Sequence, residues 1–150
     1  MNNVAAPAIN TYEVRTYDIW DDKEYPKIIT AETRSKAKYE YWQLMSDCWD
    51  IPFGKLLPML RVRTIGRFKP SDLFGNRERF ERVIHNRCIP FAYMGMRIEV
   101  SGKMGTIVGA NDSGNLDIIF DGQWWKENCH PWWKTKYFDR NGALIKEYAD

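Results

Sequence analysis

Trp124-Trp125 and Trp132-Trp133, with Lys134 and Lys136 just beyond, are the residues of this chain best suited to recognition chemistry. A solvent-facing indole offers a broad apolar surface with one donor, and a neighbouring ammonium adds charge. Such a cluster can stack on a nucleobase or anchor a protein. Adjacent side chains of a strand point to opposite faces, so a pair lying in a strand should place one ring in the core and one outside. The competing reading is that the outer rings pack on the rest of the chain. A second candidate is basic. Arg77, Arg79, Arg82 and Arg87 fall on one helical stretch, and Arg61, Arg63 and Arg67 on the strand before it. Clustered cations can follow a phosphate backbone, whereas the interleaved Glu78 and Glu81 suit a solvated face of local ion pairs.

Metal and catalytic chemistry fare worse. His85 and Cys88 are spaced to share a helix face, but Cys129 and His130 are adjacent and would diverge in extended chain, which makes closure of a four-ligand zinc site awkward. The same adjacency disfavours a thiol-imidazole dyad, because the base must reach the thiol. Gly102-Lys-Met-Gly-Thr lacks the spacing of a phosphate loop, and no metalloprotease helix or dinucleotide fingerprint occurs. The expectation is therefore a chain that is not an enzyme and takes no metal or cofactor.

The elements that must position these residues read as follows. Residues 1–10 are expected to form a mobile tail. Tyr12 to Trp20 alternates as a strand, Asp21 and Asp22 turn the chain, and a second strand runs through Ile28 and Ile29. Helical periodicity follows from Thr33, a suitable N-cap, to about Trp49, with Ala37, Tyr41, Leu44 and Cys48 on the inner face. Ile51 to Leu60 is a short helical turn and linker, and Arg61 to Phe68 a third strand with a bulge at Gly66. A helix from Arg77 to about Arg87, capped by Asn76, presents Phe80, Val83 and Ile84 inward. The last third has short apolar runs broken by glycines: Met96–Val100, Thr106–Ala110, Leu116–Phe120, Gln123–Asn128 and Thr135–Phe138, with Ala143–Ile145 as a terminal segment. The fold class is α+β. Residues 11–90 form a ββα(β)α module that contains the basic segment 61–88, and residues 91–150 form a small five-stranded β-barrel with a terminal hairpin.

Composition bounds the setting. A chain of 150 residues with 44% hydrophobic and 28% charged residues needs no staples to fold. Its aromatic share of 15% supplies anchors for partners wherever rings stay exposed. Net charge is only +2, but residues 61–88 carry 8 Lys and Arg against 3 Asp and Glu, so the basic excess is local. Three widely spaced cysteines fit reduced thiols. The start of the chain does not read as a secretory signal, and no apolar run approaches the roughly 18 residues that span a bilayer. A cytoplasmic protein without membrane association is expected, in an oligomeric state that the sequence leaves open.

The run from Gly95 through Gly105-Thr-Ile-Val-Gly, followed by Leu116-Asp-Ile-Ile-Phe-Asp-Gly, resembles the opening of a KOW-type barrel over residues 93–138. Ile29-Thr-Ala-Glu-Thr-Arg-Ser-Lys-Ala-Lys-Tyr, with Arg61-Val-Arg and Asn128-Cys-His-Pro-Trp-Trp, is similar to small proteins of tailed bacteriophages. That resemblance implies expression inside the host bacterial cytoplasm and no particular activity. The function expected is binding of a host or viral protein, to inhibit or redirect host machinery, defence included. Nucleic-acid binding through the barrel and basic helix is the alternative, and a virion structural or assembly role a third.

Overall fold

A computed structural model describes residues 8–18 and 23–149. The turn expected at Asp21-Asp22 and residues 1–7 of the expected tail lie outside them. The chain divides into two compact units, one ending at Phe68 and the other beginning at Lys69.

In the first unit, β1 (Asn10–Arg15) is followed by the two-residue strands β2 (Tyr17–Asp18) and β3 (Lys23–Glu24), which pair with each other, and by β4 (Lys27–Ala31). Then come α1 (Arg34–Met45), the single turn α2 (Phe53–Leu56) and β5 (Arg61–Arg67). β1 is the centre of an antiparallel sheet ordered β4-β1-β5. Its Tyr12 and Val14 meet Ile29 and Ala31 of β4 and Ala37, Tyr41 and Met45 of α1 in one buried cluster. The bulge falls where β1 meets β5, between Thr11 and Tyr12, and leaves Ile65 opposite no partner beside Gly66. Thr33 caps α1, its hydroxyl accepting from the Lys36 amide at 3.1 Å. Ala37 and Tyr41 are buried as expected, but the inner row of α1 continues on the i, i+4, i+8 ridge: Leu44 and Cys48 are exposed, Met45 is buried, and the helix stops at Met45. Burial pushes the Tyr41 hydroxyl up to about 12. Protonated, it donates to the Tyr25 carbonyl at 2.6 Å and ties the loop before β4 to the helix.

The second unit opens with a tight turn at Pro70–Leu73 and α3 (Arg77–Asn86), capped by the Asn76 carboxamide, which accepts from the Arg79 amide at 2.8 Å. The strands are β6 (Arg97–Val100), β7 (Lys103–Ala110), β8 (Leu116–Phe120), β9 (Glu127–Cys129), β10 (Thr135–Phe138) and β11 (Leu144–Tyr148). They form one antiparallel sheet of six strands, ordered β11-β10-β6-β7-β8-β9. This corrects the expected five-stranded barrel: the terminal segment joins as a sixth strand, and the sheet is open, with β11 and β9 at its two edges. Strand β9 spans only Glu127–Cys129, so the chain around Trp124 and Trp125 is loop rather than strand. Ile107 and Ile118 oppose each other across β7 and β8 and are fully buried, each contributing about 1.5–3 kcal/mol. Phe80 and Val83 of α3 belong to this same core, which puts the helix with the sheet and not with the first three strands.

Two glycines fix the backbone here. A Cβ at Gly105 would stand 2.8 Å from Ile118 Cγ2 and 2.9 Å from the Ile119 carbonyl. Gly102 (φ 85) follows Ser101 (φ 50) in the two-residue turn between β6 and β7, where both positions need positive φ.

Candidate functional site

One concave surface of the second unit is a groove of about 480 Å³ built from Phe74, α3, the segment 92–94 and the turn between β10 and β11. Its construction begins at a bulge. β7 shifts register between Ile107 and Gly109, and the Val108 carbonyl freed there accepts from the Gly75 amide at 2.8 Å. That bond holds the chain that carries Phe74 and launches α3. Phe74 stays 41% exposed. Opposite, Gly95 (φ 98) donates its amide to Ile107 at 2.7 Å, and a Cβ on Gly95 would touch the Phe74 ring at 3.4 Å. Alpha-helical geometry then directs Phe80 to the core and Arg77, Glu81 and Ile84 along the groove. Ala92, Tyr93 and Met94 complete the apolar lining. The Asp139 carboxylate orders the β10–β11 turn by accepting from the amides of Asn141 and Ala143, both at 2.9 Å. That turn carries Arg140, whose guanidinium carbon lies 4.9 Å from the Tyr93 ring centroid. Arg77 is 3.4 Å from Glu81, while Arg140 makes no ion pair among the described residues. The groove can therefore accept a large apolar group on its floor and an anion at its rim.

The residues singled out from sequence are distributed differently. Both tryptophan pairs lie in loops at opposite ends of β9, so the strand geometry that would split a pair into an inner and an outer ring does not apply, and none of the four rings belongs to the core cluster. Trp124 and Trp125 meet edge to face at 5.0 Å, with Trp125 exposed. Trp132 is exposed but held: its indole N–H donates to the Arg87 carbonyl at 3.0 Å and the Arg87 guanidinium lies over its ring at 5.3 Å. Trp133 is 49% exposed with the Lys134 ammonium 5.1 Å from its centroid. Lys136 sits between Glu99 at 3.5 Å and Glu147 at 3.9 Å.

The arginines of α3 do not form one face. At about 100° per residue their positions diverge: Arg77 faces Glu81, Arg79 reaches Asp112 at 3.2 Å, and Arg82 is exposed with no ion pair among the described residues. Arg87 is a structural tie, donating to Gly114 at 2.8 Å and Asn115 at 3.2 Å. Arg61 and Arg63 belong to the first unit, where Arg61 donates to the Leu60 carbonyl at 3.1 Å and Arg63 lies 3.4 Å from Glu13. Glu13 is held below the ordinary carboxylate range, chiefly by its hydrogen bond from Arg15. In the same unit the exposed Tyr39 and the half-buried Trp42 and Phe53 are in mutual ring contact, and Trp42 donates to the Ile51 carbonyl at 2.7 Å.

Among the described residues no three His, Cys, Asp or Glu side chains converge to hold a metal ion. The Cys129 thiol is pushed up to about 11 by burial, then by Glu127 and Asp117, and the His130 Nδ1 accepts from the Trp132 amide at 3.1 Å. No helix is long and apolar enough to cross a membrane. Sequence reading missed Phe74, Tyr93, Met94 and Arg140, whose positions follow no shared period; Phe74 before Gly75 and Met94 before Gly95 were the available signals of turns there. No family model, curated protein or solved structure matches the chain.

Proposed function

We propose that the chain is a non-enzymatic binding module of a tailed bacteriophage, which engages a host or viral protein through the groove between α3 and the segment 92–94. The observation that carries this reading is the half-exposed Phe74 ring in one groove with the Tyr93–Arg140 cation–π pair and an apolar floor. Aromatic and arginine side chains around a concave apolar site are the usual anchors of protein recognition. Redirection or inhibition of host machinery is the biological role that suits a module of this kind. The Ser101-Gly102 hairpin between β6 and β7, at the glycines on which the likeness rests, supports a kinship of residues 93–138 with KOW-type modules.

The test is affinity capture from bacterial lysate with the full chain and with a Phe74→Ala, Tyr93→Ala double variant of matched melting temperature. A protein retained by the first and depleted about tenfold or more by the second supports the groove. Capture of the same proteins by both baits rules it out as the contact surface.

A further inference from the structure

We infer that the groove recognises an acidic segment of a partner protein, in which a carboxylate lies close in sequence to a large apolar side chain. This rests on the reading of the groove as a protein-binding surface and specifies its ligand. Three observations carry it. First, the guanidinium of Arg140 is fixed over the Tyr93 ring yet has no carboxylate partner among the described residues. With its carbon 4.9 Å from the ring centroid and no ion pair made among those residues, the guanidinium retains N–H donors for a carboxylate, which arginine can hold in bidentate fashion. Second, α3 begins with Arg77 at its first position, Glu78 at its second and Arg79 at its third. The positive end of the helix dipole favours anions, and Glu78 offsets only one of the two cations in that turn, so a further acidic group is favoured there. Arg79 meets part of this need through Asp112, an exposed carboxylate of its own unit. Arg77, whose side chain is 83% exposed, has only Glu81 at 3.4 Å. Third, the floor is apolar: Phe80 and Ala92 are buried, and Ile84, Tyr93 and Met94 are half-buried.

Charge also decides against a polynucleotide. Phosphate chains are held by many cations releasing counterions, whereas this groove has two arginines, one already facing Glu81, with Glu78 on the same helix. A single carboxylate beside one inserted side chain matches the available charge.

Display of random short peptides against the immobilised full chain tests this. Enriched sequences should combine Asp or Glu with Phe, Trp, Leu or Met within a few positions. A labelled synthetic copy, titrated by fluorescence anisotropy, should lose about tenfold in affinity or more on Arg140→Glu and on Phe74→Ala, and less on Arg140→Gln. Arg140 lies on an exposed turn, and unchanged thermal melts keep the comparison free of folding effects. Neutral or basic consensus sequences that still depend on Phe74 would overturn the acidic specificity while leaving the groove as a binding surface. Enrichment indifferent to both substitutions, or none at all, would overturn both. A labelled oligothymidylate bound tightly and displaced by the same substitutions would reassign the groove to nucleic acid.

Discussion

Side chains that bridge strands set the local chemistry of this protein. Arg97 of β6 donates to both carboxylate oxygens of Asp121, at 2.7 and 2.6 Å, and closes the end of β8 onto β6. Asp121 is thereby held below its ordinary value, first by the hydrogen bond and then by the charge of Arg97, while partial burial opposes them. A carboxylate depressed in the folded state stabilises it above the unfolded pKa of about 3.9, and the contribution is lost as pH falls through the folded value. Asp121→Asn should therefore flatten the acid limb of a stability profile below about pH 4 and cost at most about 1 kcal/mol near neutrality, because the pair is exposed; urea titrations across pH would show it. Gly105 should be far less forgiving. Its missing Cβ makes room for the Ile118 side chain and for backbone that cannot retreat, so Gly105→Ala should cost on the order of 1–3 kcal/mol in calorimetric melts. Trp133→Ala, by contrast, removes a ring outside the core and should leave the melting temperature nearly unchanged.

Helix termini are where the elements commit themselves. Helix α3 ends in a Schellman arrangement: the Ile89 amide donates to the Ile84 carbonyl at 2.9 Å and the Cys88 amide to that of His85 at 3.2 Å. Cys88 sits between them at φ 56, a left-handed conformation in which a Cβ is unfavourable by about 1–2 kcal/mol. Cys88→Gly should relieve this and, after the extra freedom glycine gives the unfolded chain, raise stability by up to about 1 kcal/mol. A fall in the denaturation midpoint would show that the exposed cysteine makes a compensating contact. At the other end of the chain, Thr33→Ala removes the hydroxyl that caps α1 and should cost about 1 kcal/mol. The caps at Thr33 and Asn76 were legible because a short polar side chain stands just before a helical period. The inner face of α1 was legible in part: Ala37 and Tyr41 are buried as expected, but a helical wheel also places Leu44 beside Ala37, and only the sheet it packs on selects the ridge through Met45.

At the scale of the molecule, each unit closes its own core, one around Tyr12, Tyr41 and Leu56 and the other around Ile98, Ile107 and Ile118. Residues 69–150 expressed alone should unfold in a single cooperative urea transition followed by tryptophan fluorescence, as a domain with its own core does; a broad, non-cooperative profile would mean that the core is incomplete. Local sequence determined most of the elements. Alternation gave the strand 61–67, short apolar runs between glycines gave 116–120 and 135–138, helical period gave α1 and α3, and Asp121-Gly122 and Asn141-Gly142 marked turns, because these depend on side chains within a few residues of one another. Tertiary structure decided the rest. Whether six strands close on themselves, and which core α3 joins, depends on pairing between residues distant in sequence. The groove is the clearest case. Phe74, Tyr93 and Arg140 come from three segments with no common period, and they meet because the bulge at Val108 anchors Gly75, Gly95 bonds to Ile107, and Asp139 folds the last turn back toward Tyr93. The first two are backbone-to-backbone bonds between residues distant in sequence, and a one-dimensional pattern of side chains carries no record of them.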